Sequence, residues 1–92
     1  SAATEKKVYC GKVVRYFSKL GVAEFKIEAC ELSCGAKILV TGPTTGALYS
    51  TADEIRYDLE PVEVAKKGQH ISIAMPQKVR RNDKLFVVVE NN

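Results

Sequence analysis

The segment VAEFKIEA, residues 22–29, decides how the chain is read. Ala23, Phe25, Ile27 and Ala29 alternate with Glu24, Lys26 and Glu28. A period of two places the apolar set on one face of an extended strand and the charged set on the other. The segment therefore reads as a strand with one face on a core and one in water. Before it, VYCGKVVRYF (8–17) is rich in β-branched residues and reads as a first strand, with Gly11 admitting a bend or bulge. SKLG (18–21) reads as the hairpin turn between the two. After it, CELSCGA (30–36) is a turn in which Gly35 is expected at positive φ, and KILVT (37–41) is a short apolar strand.

Further on, VTGPTTGAL (40–48) leads into ALYSTADEIRYDL (47–59), one long strand or two short ones, with Ile55, Tyr57 and Leu59 facing inward. EPVEVAKKG (60–68) is the one stretch without strand character, and it has room for at most one short helical turn near 62–67. QHISIAMP (69–76) alternates again, QKVRRND (77–83) is a basic turn, and KLFVVVE (84–90) is a closing strand. Short strands separated by turn signals predict an all-β barrel or sandwich.

Ninety-two residues suffice for one small domain, expected over 8–90, with 1–7 as a disordered N-terminal tail. SAATEKK is small and polar and lacks the apolar centre of a signal peptide, and no apolar run approaches the ~20 residues of a membrane span. Cys10, Cys30 and Cys34 are an odd set, which argues against a secreted disulfide framework and for the cytoplasm. A net charge of +3 permits a nucleic-acid partner only if the cations gather on one face.

Several stretches together resemble a known family. GKVVRYFSKLGVAEFKI, LSCGAKILVTGPTTG, VEVAKKGQHISIAM and KVRRNDKLFVV occur in the order found in the second-domain β-barrel of translation GTPases such as elongation factor Tu. They are more similar still to the small C-terminal barrel of the collagenase-like peptidase family and its stand-alone relatives. The resemblance spans about residues 8–90 and implies a closed, antiparallel six- or seven-stranded barrel. In translation factors that barrel touches RNA, and in the peptidase-like family it is an accessory domain without catalytic residues. Gly35-Ala36 and Gly68-Gln69 keep the turn glycines of the pattern and lose its acids, so no role passes to those acids.

No enzyme chemistry emerges. The 40–48 loop lacks the Lys and the following helix of a phosphate-binding loop, so Gly42, Pro43 and Gly46, like Gly35 and Gly68, are expected to turn the chain, and no nucleotide is expected. Cys10, Cys30, Cys34 and His70 have no zinc-site spacing; neither metal nor cofactor is expected, and His70 is expected to point outward. Glu24 and Glu28, with Lys26 between them, read as a salt-bridged surface.

The functional lead is basic. Lys78, Arg80, Arg81 and Lys84 surround one turn, Lys66 and Lys67 form a second cluster, and Arg15 with Tyr16 and Phe17 ends the first strand. Cations beside an aromatic suit an RNA backbone or a ribonucleoprotein. The same charges also serve to keep strand ends soluble. The alternative partner is a separate protein domain of the peptidase-like kind, met through exposed apolar groups such as Tyr49 or Phe86.

Overall fold

The structure is a computed structural model that describes residues 4–91. It contains ten strands in two sheets. They are β1 (Thr4–Phe17), β2 (Val22–Ile27), β3 (Leu32–Ser33), β4 (Lys37–Gly42), β5 (Gly46–Thr51), β6 (Ile55–Tyr57), β7 (Glu60–Val62), β8 (Val64–Ala65), β9 (His70–Ala74) and β10 (Lys84–Asn91). The large sheet runs β5-β4-β10-β1-β2-β9-β6-β7, with every pairing antiparallel, and β3 pairs with β8 alone. No helix among the described residues is long and apolar enough to cross a membrane.

The expected all-β, antiparallel class is correct, but the barrel is not closed, and ten strands in two sheets stand in place of the expected six or seven. β5 and β7 end the large sheet and do not pair with each other. The physical reason is the β3–β8 pair, whose partners Leu32 and Ala65 are both fully buried. Backbone bonds from Cys34 N to Glu63 O (2.8 Å) and from Gly35 N to Ala52 O (2.7 Å) attach this small sheet to both flanks. These bonds reach only the residues just after β7 and just after β5, so the small sheet stands between the two ends of the large sheet and their edges do not meet. The stretch near 62–67, which had room for at most one short helical turn, holds no helix, and β7 and β8 run into it.

The long strand β1 is bent twice. Its register shifts between Tyr9 and Gly11 against β10, and between Val13 and Arg15 against β2. Such bulges bend a strand and increase its twist, which lets one sheet curl around a core. Gly11 is needed at the first, since a Cβ there would lie 1.9 Å from the Lys26 carbonyl oxygen. The core joins residues from widely separated strands, including Val13, Phe25, Ile27, Leu32, Ile38, Ile55, Ile71, Ile73 and Leu85.

Residues 4–7, expected in the tail, instead pair with β10 from Thr4↔Asn91 to Lys7↔Val88. Residues 1–3 lie outside the described residues. Of the inward set expected in the 47–59 stretch, only Ile55 is buried. Tyr57 is 37% exposed and Leu59 88%, because the chain reverses at Asp58-Leu59.

Candidate functional site

The basic turn is fastened to β1 by its own backbone. Asn82 N donates to Val13 O (2.9 Å), and Val13 N donates to Asp83 O (2.8 Å). Val79, 1% exposed, plugs the turn into the core. Asp83 is the one buried charged residue among those described. Its Oδ2 accepts from Arg80 N (2.9 Å) and from the hydroxyl of Thr45 in the β4–β5 loop. Gly42 makes room for this carboxylate, because a Cβ there would lie 1.9 Å from Asp83 Oδ1. Buried carboxylates persist where donors meet them, and here the donors tie two loops together.

This frame brings Arg15, Lys78, Arg80 and Arg81 around one open groove of about 520 Å³, together with Val14, Tyr16 and Val79. The bulge at Val14 delivers Arg15 to the rim. Arg15 Nε lies 3.4 Å from Glu24 Oε1, and the other oxygen of Glu24 lies 3.0 Å from His70 Nδ1. Lys78, Arg80 and Arg81 have no ion-pair partner among the described residues.

The other basic residues lie elsewhere, so the single rim expected from the sequence is divided. Lys84 lines a second hollow with Thr41, Gly42, Pro43, Gly46 and Asn82. Lys66 and Lys67 sit in the β8–β9 turn, where Gly68 N donates to Ile27 O (2.7 Å). Ile27 is three residues along β2 from Glu24, roughly 10 Å at the rise of a strand.

A second surface lies on the outer face of the large sheet. Ile38 and Val40 of β4 belong to the core, so Leu39 between them points away from it. Leu39 pairs with Phe86 on one side and Tyr49 on the other, and Phe86 pairs with Tyr9. Tyr9 and Phe86 meet edge to face at 5.9 Å, and Lys37 Nζ stands 5.5 Å from the centre of the Tyr49 ring. Four strands thus carry one apolar row: Tyr9, Phe86, Leu39, Tyr49. Tyr49 and Phe86 stood out in the sequence, whereas Tyr9 and Leu39 join them only through cross-strand register.

The thiols and the histidine are not assembled. Cys10 Sγ donates to Cys30 O (3.2 Å), Cys34 Sγ donates to Asp53 O (3.1 Å), and His70 is exposed beside Glu24. All three cysteines are free, and no cluster of three or more metal-ligating side chains occurs among the described residues. Burial pushes the Cys10 thiol up to about 12, which suits a packed group and not a nucleophile. Ser72 lies opposite Glu24 in register, but no hydrogen bond joins it to His70. Gly35, Gly46 and Gly68 take φ values of 89°, 77° and 89° at their turns. The 40–48 loop passes from strand to strand, without a helix N-terminus.

The chain is 56% identical over 86 residues to a protein named collagenase from Porphyromonas gingivalis strain W83, and 55% identical to a second collagenase from that species. It is 30% identical over 90 residues to an uncharacterised protease of Methanocaldococcus jannaschii. These matches take in 94–98% of the chain but only 21–24% of the relatives, so the chain spans about a fifth of their length. No protein-family model matches. The fold is that of the C-terminal domain of a Geobacillus thermoleovorans protein named for the U32 peptidases. Two crystal structures of that domain superpose with TM-scores of 0.79 at 14% identity. They cover 84% and 92% of this chain and 95% and 93% of their own. The shared unit is therefore a β domain that makes up about a fifth of these relatives.

Proposed function

We propose that the chain is a non-catalytic accessory module that packs against a separate catalytic domain of the collagenase-like peptidase kind. The observation that carries this reading is the extent of the match, nearly all of this chain against about a fifth of each relative. The relatives carry this unit joined to something much larger. In the outer row Tyr49 is exposed, Tyr9 and Phe86 are half-buried and Leu39 is buried beneath them, so the three rings offer the aromatic contact surface of the type found at interface centres. The test is titration calorimetry of the 92-residue chain against the non-matching remainder of the P. gingivalis relative. A micromolar complex, weakened about tenfold or more by Tyr49→Ala with Phe86→Ala, is the expected result. No binding at about 100 µM overturns it.

The groove supports a second reading, contact with a phosphate backbone such as RNA. Three cations without carboxylate partners converge there beside Tyr16. Anisotropy of a short single-stranded RNA against salt tests it. Arg80→Ala with Arg81→Ala is expected to flatten the slope of log K on log salt by about 1.4, or about 0.7 per lost contact. An unchanged slope removes RNA as a partner. The three free thiols support a reducing, cytoplasmic setting for either role.

A further inference from the structure

We infer that β5 is a pairing edge for a second copy of this chain, joined antiparallel about a two-fold axis at Tyr49. The large sheet has two ends, and they are built differently. β7 is three residues long, contains Glu60 and Pro61, and follows a turn with two residues at positive φ. Short length, charge and proline are the devices that stop an edge from pairing. β5 has none of them. Its six residues, GALYST, carry no charge and no proline, and its register against β4 is unbroken from Lys37↔Thr51 to Gly42↔Gly46. Among the described residues no strand pairs with its outer side.

The occupant follows from what the edge would meet. In a two-fold antiparallel pair the opposing positions share a face, so an axis at Tyr49 sets Tyr49 against the partner's Tyr49 and Ala47 against the partner's Thr51. No like charges oppose each other in that ladder, although each chain carries a net +3. The apolar row of Tyr9, Phe86, Leu39 and Tyr49 would then continue into its own copy without a break. The edge itself is free of charge, and the nearest charges in the chain, Asp53 and Glu54, follow its end, so the pairing brings no like charges into the ladder. The pairing extends the sheet at its edge and does not cover the rings of the outer row, so it is independent of the docking role proposed above.

Sedimentation equilibrium of the 92-residue chain from about 10 µM to about 1 mM tests this directly. The expected mass rises from 10.1 kDa toward twice that value. Tyr49→Lys and, separately, Ala47→Lys combined with Thr51→Lys set lysine opposite lysine in the paired edge and are expected to weaken association about tenfold or more. Circular dichroism establishes that each variant is folded, and the two variants guard against one failing to fold. Mild oxidation of Tyr49→Cys is expected to give an interchain cross-link absent from the parent chain and from Val89→Cys. A mass that stays at 10.1 kDa throughout, or a dimer that both lysine variants leave intact, overturns the inference.

Discussion

Thr45 and Asp83 stand 38 positions apart in the chain and are joined by a hydrogen bond from hydroxyl to carboxylate. This contact locks the loop after β4 to the basic turn before β10. Thr45→Ala leaves a buried carboxylate short of one donor, and a loss of about 1–3 kcal/mol is expected. Asp83→Ala strands Arg80 N and the Thr45 hydroxyl, with a loss of similar size. Urea titration of the two single variants and the double variant checks this, and non-additivity of about 0.5 kcal/mol or more marks the shared contact.

The β6–β7 hairpin predicts a stabilising change. Tyr57 pairs with Glu60, and the two residues between them, Asp58 and Leu59, have φ of 53° and 67°. Both positive values match the tight hairpin turn that favours Asp-Gly, and leucine is a poor occupant of the second place. Leu59 is 88% exposed, so removing its side chain forfeits little burial. Leu59→Gly is expected to raise stability by about 0.5–1 kcal/mol, seen as a higher melting temperature. An unchanged or lower melting temperature contradicts this account of the turn.

Cys10 is predicted to be the slow thiol. It is fully buried, and burial pushes it up to about 12, whereas Cys30 and Cys34 are half-buried. Alkylation with iodoacetamide at neutral pH, followed by peptide mapping, is expected to modify Cys30 and Cys34 before Cys10. Labelling of Cys10 should then track unfolding, and equal rates at all three positions would show that the β1 bulge is open to solvent.

The pair Tyr9 and Glu28 gives a pH signature. The phenol donates to Glu28 Oε1 at 2.6 Å, and that hydrogen bond raises Tyr9 from 10.0 to about 12. The folded state thus holds the proton more tightly than the unfolded chain. Its contribution is fully present below pH 10 and is lost as pH rises toward 12. Denaturation of the parent chain and Tyr9→Phe at several alkaline pH values checks the sign. The stability gap between them should narrow across that window, and a gap that widens would refute the assigned donor.

Much of the strand pattern was legible from local alternation. The Val22–Ile27 strand, the basic turn and the glycine turns follow from side-chain parity and backbone sterics, which neighbouring residues set. The two-residue strands β3 and β8 left no period to detect, and the stretch around Pro61 read as lacking strand character for the same reason. Arg15 and the 78–81 cations meet in one groove because Val13 bonds across to Asn82 and Asp83, whereas Lys66 and Lys67 are held at Ile27.

By itself, then, the order of residues determined an all-β chain, its principal strands and, in β2 and β9, which side chains face the core. The tertiary structure alone decided that the sheet stays open, which cations share a groove, and that Tyr9, Phe86, Leu39 and Tyr49 form one row. Alternation is a property of adjacent residues. Sheet closure, groove assembly and cross-strand rows depend on register between segments far apart in the chain, which bulges and small intervening strands set only once the whole core has packed.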